Sequence, residues 1–111
     1  MATWTIQEYR TASGQSPFRV FVDGLEDRDL AETRALVKLL AEFGNTLREP
    51  RSKALGGGLY ELRGSQVRIF YMFRPGRKVV VLDGIVKKQD KIPKDTLRRV
   101  RKYQRDVLEK K

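Results

Sequence analysis

Two runs of β-forming residues, Leu59–Arg63 and Gln66–Phe73, flank the dipeptide Gly64-Ser65. A two-residue Gly-X loop favours a type II′ hairpin turn, so the chain is expected to contain an antiparallel pair whose register is set at that turn. The predicted partners are Arg63 with Gln66, Leu62 with Val67, Glu61 with Arg68, Tyr60 with Ile69 and Leu59 with Phe70. Side chains alternate between faces along a strand. One face then carries Tyr60, Leu62, Val67, Ile69, Tyr71 and Phe73, and is the core face. The other carries Leu59, Glu61, Arg63, Gln66, Arg68 and Phe70. A sheet covered by helices on one side can leave such a mixed polar face on the other.

The segments around the hairpin supply the cover. Thr3 to Tyr9 is rich in β-formers and reads as a strand within residues 1–10. Ser16-Pro17 is a helix start, with Ser as N-cap and Pro at the first helical position. Phe18, Phe21, Val22 and Leu25 follow at one-face spacing, and Gly24 closes or weakens this short helix. A second helix is predicted from Asp27 or Arg28 to Phe43, with Leu36, Leu39, Leu40 and Phe43 on its apolar stripe and Gly44-Asn45 as its stop. Residues 45–58 read as a polar, Gly-rich loop. Lys78 to Val86 reads as a buried strand interrupted by Asp83-Gly84, and Pro93 opens a final helix. The order β-α-α-β-β-β-α predicts one α+β domain over residues 1–111, with a mainly antiparallel twisted sheet, two N-terminal helices packed on one face and a C-terminal helix.

The residue inventory narrows the chemistry. The 111 residues include no cysteine and no histidine, which excludes disulfides, zinc sites of the His/Cys type and the usual general base. No apolar run approaches the ~18 residues of a membrane span, and no basic segment followed by an apolar stretch marks a secretory signal. A cytoplasmic globular protein is expected. The formal charge is +10, unevenly placed. Residues 1–44 hold five Lys/Arg and seven Asp/Glu, whereas residues 45–111 hold 19 and seven. A surface polarised in this way attracts polyphosphate backbones.

Four basic groups can carry such binding, and each has a plainer alternative. Glu61, Arg63 and Arg68 share the polar sheet face; they either form a cross-strand ion pair that supports register or hold a phosphate, which suits the guanidinium fork. Lys87-Lys88-Gln89-Asp90-Lys91 follows the last strand, as a phosphate grip or a solvated charge run. Arg48, Arg51 and Lys53 precede the hairpin, in a loop that either binds or is merely solvated. Residues 94–111 carry eight basic and three acidic groups, Lys111 among them, on a helix that either tracks a backbone or faces water. Phe70, on the polar face, is the aromatic expected to be available for stacking on an unpaired base. The Gly56-Gly57-Gly58 cluster is better read as loop flexibility than as a phosphate cradle.

Three stretches in order, Lys53-Ala-Leu-Gly-Gly-Gly-Leu-Tyr-Glu-Leu-Arg63, Val67-Arg-Ile-Phe-Tyr71 and Val79-Val-Val-Leu-Asp-Gly-Ile-Val-Lys-Lys-Gln-Asp-Lys-Ile-Pro93, resemble the phage-derived, HigB-like branch of the RelE/HigB toxin superfamily. The resemblance runs from about residue 3 to about residue 105. It implies a RelE-like fold and a type II toxin that cleaves mRNA, usually on the ribosome, without a metal or other cofactor. In that reaction the ribose 2′-OH attacks the adjacent phosphate to give a 2′,3′-cyclic phosphate. The resemblance implies phosphate contacts for Arg68 and for Lys87 or Lys88, and RNA or phosphate contacts for Arg63 and Lys53. With Glu61 beside them, Arg68, Lys87, Lys88, Arg63 and Glu61 are the catalytic candidates. Lys53 joins Arg51, Phe70 and Lys91, taken from the charge and face reading above, as the RNA-binding candidates. Glu61 stands at a strand position where some relatives carry lysine and others lack any acid–base group. Tyr103 is a weak counterpart of a C-terminal tyrosine in some relatives, and Ile92 replaces the threonine that often caps the last helix. The implied partners are mRNA on the ribosome and a cognate antitoxin, a helix-turn-helix protein. The alternative is a non-catalytic RNA- or ribosome-binding module on the same fold.

Overall fold

The structure, a computed structural model, describes residues 3–88 and 90–110. Gln89 of the predicted basic run, Lys111 of the predicted last helix, and Met1 and Ala2 lie outside the described residues. The elements are β1 (Thr5–Glu8), α1 (Pro17–Asp23), α2 (Asp27–Phe43), β2 (Ser52–Gly56), β3 (Leu59–Arg63), β4 (Val67–Arg74), β5 (Lys78–Val86) and α3 (Lys94–Glu109). They form a five-stranded sheet in the order β1-β5-β4-β3-β2. β1 runs parallel to β5, and the other pairs are antiparallel. This is the α+β arrangement with a mostly antiparallel sheet that the sequence pattern predicts.

Both N-terminal helices begin where the signals place them. The Ser16 hydroxyl accepts from the Arg19 amide at 3.1 Å, and Pro17 opens α1. α2 buries Leu36 and Leu40, but Phe43 is 47% exposed, so the predicted stripe stops one turn early. The helix itself ends at Gly44, which has φ of 48°. A Cβ there would lie 2.1 Å from the Trp4 ring, so glycine is required on both grounds. The last helix lacks a side-chain cap: Pro93 occupies the N-cap position, and Asp95 supplies negative charge to the first turn.

Three expectations need correction. First, part of the predicted 45–58 loop is the edge strand β2, paired with β3 through Ser52–Leu62, Lys53–Glu61 and Ala54–Tyr60. Its apolar content is too low for the alternation to be visible. Second, the hairpin turn is shifted. The observed pairs are Tyr60–Tyr71, Glu61–Phe70, Leu62–Ile69 and Arg63–Arg68, and the Gly64 amide donates to the Val67 carbonyl at 2.9 Å. Ser65 and Gln66 therefore form the turn. The shift is even, so every side chain keeps its predicted face. Third, the polar face is not open, because α3 lies across it.

Each sheet face consequently has its own core. Phe18, Leu36, Leu40, Leu62, Val67, Ile69, Tyr71, Val79 and Val81 pack together under α1 and α2. Tyr9, Leu59, Phe70, Met72, Val80, Leu82 and Val100 pack together under α3. The β4–β5 register breaks between Phe70–Asp83 and Tyr71–Val81, leaving Leu82 as the extra residue of a bulge. The bulge places the Asp83 carboxylate against α3, where it accepts from Arg99 Nε at 3.0 Å. Arg101 donates to the carbonyls of Leu55 and Gly56, and Gln104 to that of Gly57, fastening the same helix to the β2–β3 turn. These contacts account for part of the basic charge of α3.

Candidate nucleic-acid interface

The sheet register brings the predicted basic residues to the end of one face. Lys53 pairs with Glu61, Arg63 with Arg68, and Arg68 with Ile85. The Arg51 guanidinium donates to the Arg63 carbonyl at 2.9 Å, so Arg51, Arg63 and Arg68 form a row across three chain segments. The Lys87 amide donates to the Gln66 carbonyl at 2.6 Å, which draws the basic run after β5 towards the same turn. Lys87, Lys88 and Lys91 line a cavity of about 370 Å³ with Ile85, Val86 and Pro93. The side chain of Lys87 also pairs with Asp90 at 3.1 Å.

Within this row the charged groups differ in environment. Glu61 is buried, and its Oε1 lies 3.1 Å from Arg63 Nε. The expected Glu61–Arg68 cross-strand pair is absent because the turn shift sets Arg68 against Arg63. Arg68 is 9% exposed and its Nη1 donates to the carbonyls of Gly64 at 2.7 Å and Val67 at 3.0 Å. Lys53, Arg51, Lys88 and Lys91 are exposed. Phe70 is fully buried beneath α3, so it presents no ring to a base. Tyr103 is half-buried and stacks on Tyr9 with ring centroids 4.8 Å apart. Burial first, and the nearby Asp83 charge, push its phenol up from the ordinary tyrosine range. Among the described residues, no group of three or more His, Cys, Asp and Glu side chains is placed to hold a metal.

Glu32, one of the seven acidic residues of positions 1–44 and not singled out by the sequence, organises the turn beside Arg68. Its Oε2 accepts from the Ser65 amide and hydroxyl at 2.9 and 2.6 Å, and its Oε1 from the amides of Gln66 and Val67 at 3.1 and 3.0 Å. A Cβ on Gly64 would lie 2.5 Å from the same carboxylate, which is why residue 64 is glycine. Burial alone would raise the Glu32 pKa from its ordinary 4.5; the Ser65 hydroxyl and the three turn amides outweigh it and hold the group at about 2. No local signal reveals this contact, since the carboxylate and the turn are 33 to 35 residues apart.

Glu32→Gln leaves two of the four donors facing an amide NH₂. The expected loss is about 1–2 kcal/mol once partial exposure is allowed for, or about 4–10 °C in Tm for a chain this size. Because the folded-state pKa is depressed, the carboxylate's contribution is fully present above pH 4.5 and lost as pH falls towards 2. Urea melts of both proteins should therefore differ at pH 7 and converge near pH 2. An equal gap at both pH values contradicts this account.

No curated protein matches the chain. Among solved structures, a chain of the toxin–antitoxin complex RelBE2 from Mycobacterium tuberculosis is similar, with a TM-score of 0.52 and 25% sequence identity. The match covers 80% of this chain and 97% of that one. Residues 21–105 match the family described as phage derived protein Gp49-like. With its sheet, helices and motif order in agreement, the chain belongs to the phage-derived Gp49-like family, and its fold is that of the RelE/HigB-like toxins.

Proposed function

We propose that the protein is an mRNA endoribonuclease that acts on translated message in the cytoplasm, the toxic partner of an antitoxin. The observation that carries this reading is the row of Lys53, Arg63 and Arg68 at one end of the sheet, joined through the turn to Lys87 and Lys88. In the reaction, the ribose 2′-oxygen forms a bond to the adjacent phosphorus as its proton leaves. The bond to the 5′-oxygen breaks, and that oxygen takes up a proton. Products are a 2′,3′-cyclic phosphate and a 5′-hydroxyl. The pentacoordinate phosphorus carries extra negative charge, and this reading assigns Arg68 and the Lys87/Lys88 pair to offset it. Glu61, buried and beside Arg63, is better suited to orienting that guanidinium than to collecting a proton.

The antitoxin belongs to this proposal by similarity to RelBE2, itself a toxin–antitoxin complex. Exposed Asp23, Glu26 and Asp27 at the α1–α2 connection offer a basic partner, such as a helix-turn-helix protein, a complementary surface.

Binding without cleavage is favoured by one observation: Glu61 is engaged with Arg63, and Tyr103 is stacked away on Tyr9. Primer extension on mRNA from a translating extract separates the two readings. Discrete new 5′ ends within the reading frame are expected, and their absence at protein levels that saturate ribosomes rejects cleavage. Binding should also weaken steeply with salt. Each single-strand phosphate contact contributes a log–log slope of about −0.7, so four contacts give about −2.8. A flat salt response rejects a phosphate-dominated interface.

A further inference from the structure

The helix layer over the sheet is incomplete. α2 ends at Phe43, and the chain then turns away through residues 44–51 before rejoining the sheet as β2. The uncovered part of the α1/α2 face becomes the floor of a cavity of about 810 Å³, within the roughly 300–1,000 Å³ range of small-molecule sites. It lies on the face opposite Glu61 and Arg68, and Lys53, on the edge strand β2, is the one residue of its lining that the cleavage reading also uses.

Its lining combines two chemistries. The accessible floor is aromatic: Tyr60 and Phe73 are half-buried and meet edge-on, and both pack on the ring of Tyr71, which lies buried beneath them. Trp4 closes one side, 5.3 Å from Phe73. The rim is cationic, with Arg48, Lys53, Arg74 and Arg77 against the single carboxylate of Glu49. Arg77 is already fixed: its Nε donates to the Thr3 carbonyl at 3.0 Å and its guanidinium lies 4.9 Å from the Trp4 ring centroid. At the bottom, the hydroxyls of Ser52 and Tyr71 bind each other.

We propose that this cavity binds a nucleotide, with the base against the aromatic floor and the phosphate on the arginine rim. An uncharged apolar ligand would leave the rim cations desolvated without a partner, and a bare phosphate would make no use of the rings. A nucleotide supplies a π-face and an anion on one rigid frame. The Ser52 and Tyr71 hydroxyls satisfy each other, so the floor reads the face of a base rather than its edge. Stacking of that kind is tolerant of sequence. The same chemistry can come from a free mononucleotide or from one residue of a single-stranded RNA.

Trp4 is the single tryptophan, so its fluorescence reports on this cavity alone. The full-length protein is titrated with AMP, adenosine, inorganic phosphate, a 2′-O-methyl hexaadenylate that cannot be cleaved by 2′-OH attack, and a Tyr/Glu peptide of matching charge. Saturable quenching by AMP is expected, with adenosine and phosphate each at least tenfold weaker. The double variant Arg48→Ala/Arg74→Ala should weaken AMP at least tenfold with an unchanged circular dichroism spectrum. Arg68→Ala should leave AMP affinity as it was, which separates this site from the cleavage site. A hexamer at least tenfold tighter than AMP identifies an RNA strand as the occupant; equal affinities identify the free nucleotide. No quenching by either nucleotide form, equal binding of the peptide, or AMP affinity unchanged in the double variant overturns the proposal.

Discussion

Arg68→Ala is expected to lower the rate of mRNA cleavage by about 10²–10³, the loss typical of removing one preorganised donor from a developing oxyanion. The site explains why the effect should be that large. The Arg68 guanidinium is nearly buried, and its Nη1 is held by the carbonyls of Gly64 and Val67. A donor fixed in advance costs no reorganisation when charge develops on the phosphate. Those two bonds also brace the turn, so alanine will cost stability as well as rate. Arg68→Lys separates the contributions, because it keeps the charge but loses the planar fork. Cleavage should be measured as a single-turnover rate per folded molecule, with the folded fraction taken from a melt. If Arg68→Ala cuts at the wild-type rate once corrected for folding, Arg68 is a structural brace and the electrostatic role is wrong.

The second large effect concerns the fold. Phe70 fills the core beneath α3 together with Leu59, Met72, Leu82 and Val100. Truncating a buried Phe to Ala costs about 3–5 kcal/mol, against the 5–15 kcal/mol that holds a typical domain together. Phe70→Ala should therefore fall far in Tm or fail to accumulate as folded protein. A surface ring that stacks on a base behaves in the opposite way: its loss weakens RNA binding by about 1–3 kcal/mol and leaves stability nearly unchanged. Chemical denaturation of Phe70→Ala and of the milder Phe70→Leu, alongside RNA binding by the folded protein, distinguishes the two. A stable Phe70→Ala protein with impaired binding would restore Phe70 to the interface.

Phe70 also shows where sequence reading reaches its limit. Alternation assigns the residue to the correct face, and the even turn shift does not disturb that assignment. Which layer covers a face is a long-range fact. The leucine and valine spacing of α3 reveals an apolar stripe, but its docking depends on Arg99 meeting Asp83 and on Arg101 and Gln104 reaching the β2–β3 turn. The bulge at Leu82 that turns Asp83 towards α3 leaves no pattern in the strand beyond the interruption at Asp83-Gly84. Helix starts and stops, by contrast, were legible because Ser16-Pro17 and Gly44 act within a turn of their own positions. The candidate site was partly legible for a similar reason. Arg63 and Arg68 need only the hairpin to become neighbours, whereas Glu32 and the aromatic cavity need α2 and the sheet together.

The strand order has a consequence for how the chain is assembled in time. Among the described residues β1 pairs with one strand, at Lys78–Val81, and the Tyr9 hydroxyl finds Asp106, 97 residues later, at 2.7 Å. β2, β3, β4 and β5 form an uninterrupted meander, each pairing with the next. Contacts close in sequence form early, and distant ones wait for loop closure. During synthesis from the N-terminus, β1 precedes the other strands but cannot pair until β5 has been made, and the second layer closes only once α3 has been made. The cationic row of Arg51, Arg63 and Arg68 lies within the meander and its approach. The order of synthesis thus lets the meander form its positive face while the hydrophobic surface destined for α3 is still bare, and α3 is the element that covers it.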